Sequence, residues 1–422
     1  METGSREDSS LRNLLVRTAA EPQPALDIYE TALARAEQRL KVREAIYRRE
    51  RSEAVSLVPE LLGHPPERQQ LILRNNPRYC TWGVLEQLLE RSWAQSFESP
   101  VEAERLARLA LLLADRLDAS FYGAESIEDF RARAWGYIGN ARRLRADLTE
   151  ATRAFAVALR HLRRGTREPV EKAILLDLQA SLRRAQRRFH DALCLLRRAL
   201  VLFISVGDHH RAGRTLLSME IVLNYSGDAQ KGIPLLYRAI ELIDPAQEPR
   251  VLLCAWHNLI DGLVDAGRHL EARRLLPQAR PIYSRFPEWS RNRQAWVAGK
   301  MAIGLRQDAE GEALLTKVRA AFLAEDAPYE AALVSLELSA LYARQGRKAE
   351  MKRLAAEVVS LFSTCQIHHR EAAAALAFWK QAVDSESAGV ELATQIVGFL
   401  KRARYDNDFP FVRPEAQVPA SE

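Results

Sequence analysis

Arginines stand in adjacent pairs through one segment of this 422-residue chain: Arg142-Arg143, Arg163-Arg164, Arg183-Arg184, Arg187-Arg188 and Arg197-Arg198. Guanidinium groups at this density can grip carboxylates bidentately or displace counterions from a phosphate backbone. Two other groupings could do chemistry. His257 and Asp261 are four residues apart, one turn of helix, which is a spacing for an acid–base pair or for a local hydrogen bond on a helix surface. Cys365, His368 and His369 place three potential metal ligands within five residues, but a zinc site needs a fourth ligand or a water and a supporting second shell. His209-His210 falls at a turn. The sequence has no Gly-rich phosphate loop, no GxSxG, no HExxH and no CxxC. The reading is therefore of a chain with no catalytic residue, no cofactor and no metal.

The formal charge of +6 is unevenly spread. Residues 1–130 carry 17 basic against 22 acidic side chains, residues 131–214 carry 19 against 7, and the remainder 25 against 26. The basic segment invites a nucleic-acid reading, but Arg outnumbers Lys along the whole chain and no RNA-binding strand accompanies it, which favours solvated or internally paired arginines. At 47% hydrophobic and 27% charged, with mean hydropathy -0.25, the chain can fill an interior and solvate a surface. Cys80, Cys194, Cys254 and Cys365 are scattered and read as isolated thiols. Met1 to Ser10 is polar with no apolar run behind it, and the most apolar stretch, Ala192 to Val206, is broken by Arg197 and Arg198, short of the roughly 18 to 20 apolar residues of a spanning helix. The expectation is a cytoplasmic chain with no secretory signal and no membrane span.

The elements that would position these residues come from a period. Ala151, Ala192, Gly232, Ala272, Ala313 and Met351 recur at spacings of 41, 40, 40, 41 and 38. A repeat of this length means stacked helical hairpins, each burying its apolar face on a neighbour. Helix starts are read at Ser99-Pro100 with Glu102, Ser126 with Asp129 and Asp147 with Glu150. Left-handed turns are read at Gly207, Gly227, Gly267 and Gly346. Within a copy, Trp135, Ile138, Gly139 and Arg142 precede Ala151, Phe155 and Ala158; the fourth copy reads Trp256, Leu259, Ile260, Leu263, Gly267, Ala272, Leu276 and Ala279. An upstream copy holds Trp82, Leu85 and Leu88 with Ala103, Leu106 and Ala110, set off by a loop from Ser120 to Ser126. Residues 366–403 read as a closing hairpin.

The fold class is thus an all-α, right-handed solenoid of about seven to eight antiparallel hairpins. Residues 1–24 read as a flexible N-terminus, 25–78 as an N-terminal helical segment, 79–403 as the repeat array and 404–422 as a disordered tail. The long helix from Ala25 to Val58 carries Leu26, Tyr29, Leu33, Ala36, Leu40 and Tyr47 at three- and four-residue steps, interrupted by Arg43 and Glu50. It is expected to pack on the first repeat, with homo-oligomerisation through this helix as the alternative. In the tail, Phe409-Pro410-Phe411-Val412 is an apolar cluster; disorder is expected, docking as a short motif being the alternative.

The aromatic and leucine on the first helix, the small residue at the crossing and the small-large-small step on the second resemble the tetratricopeptide repeat, in copies longer than its roughly 34 residues by about a helical turn. Tyr79-Cys80-Thr81-Trp82, the run Asp177 to Arg184, His257-Asn258-Leu259 and the run Ala332 to Leu338 are similar to bacterial tetratricopeptide proteins, some of which carry the array as a sensor arm behind a helix-turn-helix domain. With 24 residues before Ala25, no such three-helix DNA reader is expected in this sequence. The resemblance implies that the first helix of each hairpin lines a concave groove, which assigns Arg133, Asn140, Arg143, Ser181, Arg184, Arg214, Asn224, His257 and Asp261 to peptide binding. Asn can donate to and accept from a peptide backbone, and Arg grips carboxylates, so the partner expected is a protein or peptide, acidic in character. Asp177 and Gly136 depart from the carboxylate clamp of some relatives. The function read is a non-catalytic binding scaffold or sensor arm; the alternative is regulation of transcription or RNA through residues 131–214, directly or through a DNA-binding partner.

Overall fold

A computed structural model describes residues 24–364, 370–403 and 409–413. Residues 1–23, Cys365, His368 and His369, and the tail residues 404–408 and 414–422 lie outside the described residues. Among the described residues the regular structure is helical throughout, and the chain forms two compact units, Met1–Glu171 and Lys172–Glu422.

The first unit holds α1 (Pro24–Leu62), α2 (Pro66–Asn75), α3 (Trp82–Gln95), α4 (Pro100–Ala114), the single-turn α5 (Ala119–Tyr122), α6 (Ala124–Leu144) and α7 (Leu148–Arg164). The division falls just inside α8 (Pro169–Ala185). The second unit continues through α9 (Phe189–Ser205), α10 (His209–Ser226), α11 (Ala229–Leu242), α12 (Pro249–Asp265), α13 (His269–Ser284) and α14 (Pro287–Gly304). It ends with α15 (Asp308–Ala324), α16 (Pro328–Gln345), α17 (Lys348–Thr364), α18 (Arg370–Asp384) and α19 (Val390–Ala403).

The hairpin geometry follows from small residues at the crossings. Ala151, Ala192, Gly232, Ala272 and Met351 are buried as read, but Ala313 is exposed and Gly311 takes its slot, so the spacings become 41, 40, 40, 39 and 40. A Cβ on Gly311 would lie 2.5 Å from Ile303 Cγ1, which is why glycine occupies that slot. The facing column on the first helices is Gly139, Ala180, Glu220, Ile260, Gly299 and Ser339, all buried, with Glu220 set against Gly232. Gly207, Gly227, Gly267 and Gly346 all adopt positive φ, between 70° and 89°, a conformation glycine enters without a Cβ clash. Two of the expected helix starts form: Ser99 Oγ accepts from Glu102 N at 3.3 Å, and Asp147 Oδ1 from Glu150 N at 3.1 Å. The third does not, because α6 already begins at Ala124 after Gly123 at φ 89°, leaving Ser126 inside the helix. The expected Ser120 to Ser126 loop is correspondingly taken up by α5 and the first turn of α6.

In the first unit only the second half of α1 joins a core. Ala54, Leu57, Val58 and Leu61 are buried against Leu85, Leu88, Leu109 and Leu113, and Tyr47 stacks on Trp82 with ring centroids 4.9 Å apart. Tyr29, Leu33 and Leu40 are 76%, 61% and 66% exposed, so the stripe expected to pack on the first repeat does so only from Tyr47 onward.

In the second unit the last helix folds back. α19 packs on α16 as well as on α18, and Tyr329 Oη donates to the Leu400 carbonyl at 2.7 Å. Phe409 and Phe411 are half-buried against Phe399, and Phe411 N donates to Glu371 Oε2 at 2.8 Å. This part of the segment expected to be a disordered tail is docked on its own chain, because two aromatic rings two residues apart fit the apolar surface left by α18 and α19.

Candidate functional site

The inward residues of α10, α12, α14 and α16, with the end of α19, surround a cavity of about 370 Å³ within the second unit. Its lining includes Asn224, Tyr225, His257, Asp261, Trp296 and Lys300, and it is closed on one side by Lys401 and Arg402. Residues one helical turn apart project to the same face, so Asp261 and Asp265 on α12, and Trp296 and Lys300 on α14, present paired side chains to the same volume.

Lys300 organises the charge. Its ammonium donates to Asp261 and, at 2.9 Å, to Asp265 Oδ1, while Lys401 Nζ reaches Asp265 Oδ2 at 2.8 Å from 136 residues away. Trp296 Nε1 donates to Glu337 beside them. Burial alone would push the Lys300 ammonium down, but Asp261, Asp265 and Glu337 outweigh it and hold the group well above its ordinary value. Burial would likewise raise Asp265; Lys300 and Lys401 overcome it and hold the carboxyl well below the usual carboxylate range. At Glu337 burial prevails over both lysines and the carboxyl is raised.

His257, Cys254 and Asn258 belong to the same wall, with Tyr283 and Glu220 hydrogen-bonded behind it. His257 Nδ1 lies 3.2 Å from Tyr283 Oη, and burial pushes the imidazole below its ordinary value with Asp261 acting against it. Burial also raises the Cys254 thiol, which keeps it from acting as a thiolate at neutral pH. Glu220, 4% exposed, accepts from Asn258 Nδ2 at 2.8 Å; burial, and less so Asp261, raise its carboxyl to about 7. The wall thus offers donors, acceptors, both signs of charge and an indole face, a set suited to the backbone and mixed side chains of a polypeptide.

Of the residues read as groove-lining, Asn224, His257 and Asp261 meet in this cavity, and Arg184 lies 5.7 Å over the ring of Tyr225, which lines it. Arg214 pairs with Glu248 at 3.0 Å, and Ser181 is half-buried on α8. The first-unit residues are engaged elsewhere. Arg133 is paired with Glu171 and lies over Phe130, and Asn140 Oδ1 accepts from Arg143 Nη2 at 2.8 Å. Lys300, Asp265, Trp296, Arg293 and Lys401 were not in the sequence reading. The period could have found two of them. Asn140, Ser181 and Asp261 share a column that reaches Lys300 one copy later, and the Arg133 and Arg214 column reaches Arg293. Lys401 had no such signal, since its helix meets α12 only through tertiary folding.

The Arg-rich segment divides between internal and outward roles. Arg142 bridges Glu104 and Glu150, Arg183 donates to Gln186, Arg187 lies over Phe189 and Arg188 pairs with Asp191. Arg163, Arg164, Arg197 and Arg198 are exposed on α7 and α9. Among the described residues no three His, Cys, Asp or Glu side chains are grouped to hold a metal, and no helix is long and apolar enough to cross a membrane.

No protein-family model matches the chain, and no curated protein matches it. Solved structures do. A Rap protein complexed with competence and sporulation factor superposes with a TM-score of 0.50 at 13% identity, covering 76% of this chain and 87% of that one. Aspartyl phosphate phosphatase F from Bacillus subtilis gives 0.48 at 10% identity, covering 83% and 87%. A kinesin light chain with nearly identical TPR-like repeats from Podosopora anserina gives 0.35 at 16%, covering 48% and 97%. The chain has the all-α, TPR-like repeat solenoid fold.

Proposed function

We propose that this chain is a non-catalytic polypeptide receptor, a cytoplasmic scaffold or sensor arm, and that the second-unit cavity is where it holds its partner. The observation that carries the reading is the cavity itself: an open volume, bounded by four successive first helices, whose wall mixes amide, imidazole, indole, ammonium and carboxylate groups. Such a wall complements a segment bearing both signs of charge better than the acidic or carboxylate-bearing one expected from the arginines. The Rap protein structure, which shares the fold, holds competence and sporulation factor, and this supports a binding role for a groove on the same scaffold.

The test is to pan a displayed library of random peptides on the full chain at low and high salt, then titrate an enriched synthetic peptide. The reading expects saturable binding at one peptide per chain, weakened by Asn224→Ala and by Arg402→Ala, both at exposed wall positions. Absence of any enriched peptide, with retention of the chain on duplex DNA that falls steeply with salt, would transfer the function to the exposed arginines of α7 and α9.

A further inference from the structure

The first half of α1 is a helix with an apolar stripe and nothing described against it. Tyr29, Leu33, Ala36 and Leu40 are all exposed and recur at steps of four, three and four, the alternation of a and d positions in a heptad. The seam ends at the next d position, Arg43, whose guanidinium turns to the Tyr47 hydroxyl at 2.9 Å and to the carbonyls of Phe121 and Tyr122. Most helical stability in proteins comes from packing an apolar face, so an exposed stripe of this kind gains from a partner.

The flanking charges identify the occupant. With Leu33 and Leu40 at a, the e positions are Glu30, Glu37 and Glu44, and Arg39 is at g. In a parallel pair of these helices, Arg39 of one copy faces Glu44 of the other, twice by symmetry. In an antiparallel pair the glutamate rows would face each other. We propose that α1 pairs in parallel with α1 of a second copy of this chain through Tyr29, Leu33, Ala36 and Leu40, making the protein a weak, concentration-dependent homodimer.

Sedimentation of the full chain over a concentration series tests this. The apparent mass should double from one chain to two as concentration rises. Leu33→Glu with Leu40→Glu should hold it at one chain with an unchanged thermal midpoint, because both positions are exposed in the single chain. Arg39→Glu or Glu44→Arg alone should weaken association about fivefold, and the two together should restore it, since the swap rebuilds only a parallel pairing. In a chain whose exposed Cys194 is replaced by Ser, Leu33→Cys should form a disulfide-linked dimer on mild oxidation faster than the same chain with Leu33 kept. A mass of one chain at every concentration overturns the proposal, as does a dimer indifferent to Leu33 and Leu40 or one that the double charge swap fails to restore. A lowered midpoint in the Leu33, Leu40 variant of a monomeric chain would overturn it too, by showing that the stripe is covered by its own chain.

Discussion

Equivalent positions on first helices behave differently in the two units. In the first, Asn140 is occupied by its neighbour Arg143, while Arg133 pairs with Glu171 and Asp129 Oδ2 accepts from Thr166 Oγ1 at 2.5 Å, each about one repeat further on, so these inward groups are held in separate one-to-one contacts. In the second, the Asn140 column carries Asp261 and Lys300, and the Lys300 ammonium is shared between Asp261 and Asp265 beside an open volume. A repeat position fixes the direction a side chain points. Whether it becomes structure or surface for a partner depends on whether the surrounding helices leave space and whether its charge is matched at once or shared.

The largest effect that could break this contrast is at Lys300. Lys300→Met leaves Asp261, Asp265 and Glu337 without their central cation and should cost about 3–5 kcal/mol in denaturant unfolding. Arg133→Met strands only Glu171 and should cost less; equal losses would erase the distinction between shared and one-to-one pairing.

Next is Glu220. Its folded carboxyl titrates near 7, above the value of about 4.5 in an unfolded chain, so the folded state binds the proton more tightly and stability is lost as pH rises through that window. Glu220→Gln should remove this slope and raise stability by about 3 kcal/mol near pH 8, the gain vanishing below about pH 4.5. Thermal midpoints across pH check it; a variant that keeps the slope places the titration elsewhere.

Smaller again, Phe411→Ala removes a half-buried ring from Phe399 and Phe378 and should lower second-unit stability by about 1–2 kcal/mol, with residues near Glu371 gaining amide exchange. No change would return residues 409–413 to the free tail expected from sequence. Smallest, Arg143→Ala should shift stability by less than about 1 kcal/mol.

Much of the fold was legible because period, glycine turns and capping residues act locally. The four turn glycines and two of the three helix starts could be read from the chain alone. Ala313 misled because alanine is common enough to sit two residues from the true crossing, where only the clash with Ile303 demands glycine. The site was half legible. Asn224, His257 and Asp261 followed from repeat position, and continuing their column reaches Lys300, in a chain with nine lysines among 61 basic residues. Lys401 and the docking of Phe409 and Phe411 depend on α19 folding back over α16, a long-range contact with no period to announce it.

The central claim is that the second unit binds and the inner face of the first supports. It is tested most directly by titrating one library-derived peptide into the full chain and its Asn224→Ala, Arg402→Ala and Arg143→Ala variants. The account predicts affinity about tenfold weaker for each of the first two and within about twofold for the third. The reverse order, with Arg143→Ala abolishing binding and the cavity variants unchanged, would contradict it.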